Sequence, residues 1–155
     1  MIYWLLPLAF VVHDAEELFT MPSWFIAHER PLGAAHVALA IALFLAVFLV
    51  ITAGAWLRPR SFVWRALYGG LLGTFLLHGF VHVGQAIAFA SYTPGLVTAV
   101  LVVIPASAYL WIVLLRRGAI DLKPSLAMSV LGIALFLPAV IGALWLSDQV
   151  LSSFS

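Results

Sequence analysis

The sequence contains no cysteine, and only 8% of its 155 residues are charged. Without cysteine there are no disulfide bonds, thiolate zinc sites, cysteine-bound iron–sulfur clusters or CxxCH haem attachment. The scarcity of charge excludes an ordinary soluble domain, in which about 25% of residues are charged. The net charge of +1, with no basic arm, gives no indication of nucleic-acid binding. Apolar residues make up 65% of the chain, so we expect a polytopic membrane protein.

Five apolar segments approach or exceed the roughly 20 residues that a helix needs to cross a bilayer. They span about 2–20, 34–57, 66–90, 94–115 and 125–147. The first has no basic residue before its apolar run, so we expect a retained helix and not a signal peptide. Met21-Pro22-Ser23 is expected to end it, and Ser91-Tyr92-Thr93-Pro94-Gly95 is expected to form a tight turn. The prediction is an all-α bundle of five transmembrane helices, one membrane domain over residues 1–155.

The basic residues predict how this bundle is oriented. Six of the seven lie in or beside the loops that follow the second and fourth spans: Arg58, Arg60, Arg65, Arg116, Arg117 and Lys123. The positive-inside rule places these loops in the cytoplasm. The N-terminus is then cytoplasmic and the C-terminus outside, in an integral multi-pass protein of the cell membrane.

Ionisable residues collect in the outer halves of the first and third predicted spans. Two sets share a helix face each: His13, Glu16 and Glu17 in the first span, and His78, His82 and Gln85 in the third. His36 begins the second span, His28 and Glu29 lie in the outer loop, and Asp14 is expected to point away toward the interface. On the third span Gly69, Gly73 and Gly84 lie opposite the histidines and predict a close helix contact.

This pattern predicts a metal site. Two histidines four residues apart bind one metal ion from a single helix face, as in zinc metalloproteases. We expect His13, Glu17, His78 and His82 as metal ligands, with zinc favoured and iron as the alternative. Glu16 and Glu17 are the catalytic candidates: one would bind the metal and the other would activate water, and the order stays open. Gln85 and His36 are candidates for supporting hydrogen bonds.

Such a site in a bilayer predicts a metal-dependent hydrolase or related enzyme acting on a lipid or other apolar substrate. A proton-coupled transporter or channel using the same cluster is one alternative. It is disfavoured because the inner halves of the spans carry almost no polar residues. A b-haem electron-transfer protein is another. It is disfavoured because His78 and His82 share a helix face and cannot flank one haem.

The segment His13-Asp14-Ala15-Glu16-Glu17 in the first span resembles the HXXEE family of small bacterial multi-pass membrane proteins. The resemblance covers most of the chain, and the later His78/His82 pair makes it more specific. It implies a helical membrane protein with functional residues at His13, Glu16 and Glu17, extended to His78 and His82. It implies no particular activity.

Overall fold

The computed structural model describes residues 1–27 and 33–153, and it has no strand in these two ranges. Five long helices follow one another along the chain. They are α1 (Leu5–Ala27), α2 (Ala34–Leu57), α3 (Phe62–Phe89), α4 (Leu96–Arg116) and α5 (Leu122–Ser152). A single 3-10 turn, Ile2–Trp4, precedes α1, and a π-helical stretch, Ala99–Val103, lies within α4. The all-α prediction is confirmed.

Helix α1 corrects one predicted boundary, because it continues through Pro22 to Ala27 and does not end at Met21-Pro22-Ser23. Proline is tolerated inside membrane helices. Pro22 has no N–H to donate to the Leu18 carbonyl, whereas two nearby hydroxyls donate to other carbonyls of the helix: Thr20 to the Glu16 carbonyl at 2.7 Å, and Ser23 to the Thr20 carbonyl at 2.9 Å. His28 and Glu29, predicted to lie in the outer loop, are outside the described residues.

Four of the helices, α2 to α5, are long and apolar enough to cross a membrane. Their exposed surface is dominated by large apolar side chains, which suits contact with lipid. Helix α1 is also long, but three acidic residues within four positions make it more polar than the other four. The fold is therefore that of a membrane protein with at least four candidate spans.

Helix α3 occupies the centre of the bundle and packs closely against α5 through small residues. A side chain at Gly69 would collide with Ser125, and one at Gly73 would collide with Ser129 and Trp111. These contacts confirm the predicted packing face at both glycines. Gly84 was predicted wrongly, because the described part of the chain places no atom within 4 Å of where its Cβ would be.

Contacts at one end of the bundle join the start of the chain to the basic loops. The Tyr68 hydroxyl donates to the Tyr3 carbonyl at 2.7 Å, and Arg65 pairs with Asp121 at 2.9 Å. At the other end, α3 stops at Ala90, whose left-handed backbone (φ 48°) turns the chain into the loop before α4. That loop lies directly over the functional site.

Candidate metal centre

Four side chains from two helices converge in the interior of the bundle. His13 and Glu17 come from α1, one turn apart, and His78 and His82 come from α3, also one turn apart. One ligand atom from each lies within 4.8 Å of all the others. His13 is fully buried, and Glu17 and His82 are only 7% and 4% exposed. The structure thus brings together all four predicted metal ligands.

The spacing of these atoms fits a small metal ion. The His78 Nε2 lies 3.1 Å from that of His13 and 2.9 Å from that of His82. The Glu17 Oε1 lies 3.3 Å from the His82 Nε2 and 3.8 Å from the His13 Nε2. Ligands at 2.0–2.1 Å from a tetrahedral zinc ion are about 3.3 Å apart. The four distances scatter around that value, so the cluster can hold one such ion.

A hydrogen-bond chain fixes which nitrogen of His13 faces the cluster. The Thr98 hydroxyl has one proton and donates it to the Glu16 Oε2 at 2.5 Å. Thr98 Oγ1 therefore accepts the proton of His13 Nδ1, which lies 2.9 Å away. The Nε2 of neutral His13 is then left with a free lone pair directed at the other ligands. Outer hydrogen bonds of this kind orient metal-binding histidines.

Glu16 lies outside the four-ligand cluster and holds the start of α4. Its carboxylate accepts hydrogen bonds from the Val97 and Thr98 backbone N–H groups, which are unpaired donors at a helix N-terminus. It also accepts from the Tyr92 hydroxyl at 2.6 Å. Partial burial, and then this bond to Glu16, raise the pKa of Tyr92, so the phenol stays a donor. Glu16 thus ties α1 to the loop and to α4.

Gly95 closes the cluster from the loop side. Its backbone has a φ of 82°, in the left-handed region that favours glycine. A Cβ here would lie 2.8 Å from ring carbons of both His13 and His82, and 3.0 Å from Glu17 Oε1. The chain can pass this close to the ligands only because residue 95 has no side chain. The segment over residues 91–95, predicted as a tight turn with no role in the site, is part of the site.

Other candidates fall at different distances from the centre. Asp14, expected to face the interface, is only 6% exposed and lines the cavity, so that expectation was wrong. Gln85 lines the cavity beside the cluster but is exposed. His36 lies outside the cluster, at the start of α2. Its Nε2 is 3.6 Å from the carboxylate of Asp148, near the end of α5.

The family described as "Protein of unknown function with HXXEE motif" matches residues 4–110. The chain belongs to the HXXEE family. The match covers more than half of the chain and includes all four candidate ligands. No curated protein and no solved structure matches the chain.

The three defined residues of the HXXEE motif, His13, Glu16 and Glu17, make different contacts in the site. His13 and the second glutamate, Glu17, face the candidate metal position. The first glutamate, Glu16, points to the neighbouring loop and orients His13 through Thr98. Helical periodicity explains the separation, since adjacent residues point about 100° apart. The motif therefore combines two candidate ligands with one anchoring carboxylate.

The hydrogen bond between His13 and Thr98 gives a testable prediction. A Thr98→Val substitution removes the acceptor for His13 Nδ1 without changing the side-chain shape. We expect the affinity for Zn²⁺ to fall about 10–100-fold, the usual cost of losing an outer partner of a metal-bound histidine. Competition with a chromogenic chelator measures this. Thr98→Ser keeps the hydroxyl and should retain most of the affinity. Equal affinity in Thr98→Val and wild type would contradict the role of Thr98 in orienting His13.

Proposed function

We propose that this HXXEE protein is a membrane-embedded, metal-dependent hydrolase acting on a lipid or other apolar substrate. The observation that carries the proposal is the convergence of three imidazole nitrogens and one carboxylate beside an apolar cavity of about 510 Å³. Pockets of this size suit small-molecule substrates. Among metals, zinc is favoured because the spacing matches a tetrahedral site, with iron as the alternative.

The proposal includes a membrane arrangement. The chain is one membrane domain in which α1 is a fifth span, since its acidic residues face the bundle interior and the loop, not lipid. The end with Arg58, Arg60 and Arg65 is cytoplasmic by the positive-inside rule. The N-terminus is then inside and the C-terminus outside the cell membrane. The metal cluster lies in the outer half, within reach of outer-leaflet lipids.

Four protein ligands would close a tetrahedral zinc site, whereas catalytic zinc sites keep one position open. We therefore assign His13, His78 and His82 as the residues that would hold the metal ion and Glu17 as the residue that would handle the proton of water. The metal ion supplies Lewis acidity, which activates water and polarises a carbonyl group. Glu17 accepts the proton of the attacking water and returns it to the leaving alcohol. In an ester, the water oxygen bonds to the carbonyl carbon and the bond to the alcohol oxygen breaks.

Two features disfavour the alternatives. A proton-coupled transporter needs a polar path through the inner half. The cavity wall there contains one polar side chain, Thr74, whose hydroxyl donates to the Ser129 carbonyl at 3.4 Å. A haem needs room for a flat macrocycle beside its ligand histidines. The Gly95 backbone packs directly against the rings of His13 and His82.

A Glu17→Gln variant tests the proposed role of the carboxylate. The amide keeps the size of the side chain but cannot accept the proton. We expect hydrolysis to fall about 10²–10⁴-fold, the usual contribution of a general base. The three histidines should still hold about one equivalent of zinc. The assay is the release of fatty acids or alcohols from vesicles containing glycerophospholipids and long-chain esters, followed by mass spectrometry.

The matched control is Gln149→Glu, which adds a carboxylate at an exposed position near the end of α5, outside the cavity wall. It should leave both zinc content and hydrolysis near wild type. If Glu17→Gln keeps full activity, the base is wrongly assigned. If the zinc-loaded wild type releases no acid or alcohol from any of these lipids, the hydrolase proposal fails.

A further inference from the structure

The cavity beside the metal cluster extends along most of α3. Its wall includes residues of this helix from Leu67 to Phe89, with His78 midway between them. At about 1.5 Å per residue, the cavity is about 33 Å long, with about 16 Å on each side of His78. Each half is about as deep as one leaflet of a bilayer, since the hydrocarbon core is about 30 Å thick. The cluster therefore lies partway along a channel, and not at its end.

The two halves differ in chemistry. Toward the basic end of the bundle the wall is apolar apart from Thr74. Its large side chains are Phe44, Phe48, Ile51, Leu67, Leu71 and Met128. Toward the opposite end the wall is also largely apolar, but it includes the amide of Gln85, the hydroxyl of Thr93 and the amphipathic ring of Trp24. The inner half thus suits a hydrocarbon tail, and the outer half offers polar groups to the other end of a substrate.

The size of the cavity also fits such a ligand. Its volume of about 510 Å³ lies within the range of about 300–1,000 Å³ that is typical of small-molecule sites. The cavity therefore has room for a hydrocarbon chain beside the cluster.

We propose that the substrate is an amphiphile that places a hydrocarbon tail in the apolar half of this cavity. Its cleavable polar group then lies at Glu17, His78 and His82, and its head group lies near Gln85. The apolar half is about 16 Å deep. At about 1.3 Å per methylene group, it takes a tail of roughly 12 carbons beyond the cluster. This inference rests on the proposed function, because only that function makes the bound amphiphile a substrate. The site that binds the hydrocarbon chain is testable without catalysis.

The test uses saturated fatty acids of 8 to 22 carbons, which bind but cannot be hydrolysed. An equimolar mixture is added to the detergent-purified protein, and native mass spectrometry identifies what stays bound. We expect one fatty acid per protein, with retention rising to an optimum near 12–16 carbons. A Leu67→Trp substitution fills the inner end and should move the optimum to chains at least 2–4 carbons shorter. Ile51→Phe fills the same end from α2 and serves as the second variant.

Val63→Trp is the matched control, since it adds the same side chain one turn away on the lipid-facing surface of α3. It should leave the optimum unchanged. The proposal is overturned if no fatty acid stays bound, or if neither filling variant shifts the optimum. Zinc and iron contents are measured on the same samples after incubation with each metal. Chain selection in protein that holds neither metal would refute the hydrolase and leave the tail-binding site standing.

Discussion

The His78→Ala/His82→Ala double variant is expected to lose its metal ion. Wild-type protein should hold about one equivalent of zinc, because three imidazoles and a carboxylate meet at tetrahedral spacing. The variant keeps only His13 and Glu17, which leaves half of the ligand set. Loss of one outer hydrogen bond already costs 10–100-fold in affinity, so the loss of two ligands should cost well over about 100-fold. Elemental analysis and chelator competition measure the effect.

Thermal unfolding provides a second measure on the same variant. A ligand that binds only the folded protein raises its melting temperature. Wild-type protein should melt at a higher temperature with zinc than without it, and the double variant should not respond. His36→Ala is the matched control, since this histidine lies outside the cluster, beside Asp148. The metal site is refuted if the folded double variant binds zinc as wild type does, or if His36→Ala loses zinc to the same extent.

Gly95→Ala should disable the site although none of the four candidate ligands is substituted. The new Cβ would meet the rings of His13 and His82 at 2.8 Å, closer than van der Waals contact allows. The left-handed backbone adds about 1–2 kcal/mol of strain. The loop must therefore move away, and the histidines lose their closing wall. We expect a lower melting temperature and at least a 10-fold loss of zinc affinity, measured by the same chelator competition.

Gly118→Ala separates strain from collision. Gly118 also has a positive φ, at 61°, but nothing in the described part of the chain lies within 4 Å of where its Cβ would be. This control should show the strain of about 1–2 kcal/mol and keep its zinc affinity. If both variants lose zinc equally, or if Gly95→Ala keeps it, the contact between Gly95 and the ligands does not shape the site.

The sequence predicted the four ligands because each pair lies on one helix. Residues four apart on a helix face the same way whatever the fold, so His13 with Glu17 and His78 with His82 could be paired from spacing alone. That the two faces meet was an inference from the cost of burying charge in a membrane, and the structure confirms it. The five helices were predicted separately, from the lengths of the apolar segments.

The surroundings of the site could not be predicted in this way. Thr98, Tyr92 and Gly95 belong to a loop and a helix start that lie about 80 residues from α1 in sequence, and no periodicity connects them. Asp14 was misplaced because a helical wheel gives a direction but not the neighbour in that direction. It points away from lipid, into the cavity wall. Pro22 was misplaced because proline ends soluble helices more reliably than membrane helices.

The π-helical stretch Ala99–Val103 begins immediately after Thr98. Such a stretch contains one residue more than the α-helical turn it replaces. Deleting that residue would restore a regular helix and rotate everything before it by about 100° relative to the rest of α4. Thr98 and Gly95 would then turn away from His13 although no ligand had changed. When HXXEE sequences are aligned, the position of a gap within α4 is therefore informative about the metal centre. It is as informative as the identity of any residue in that centre.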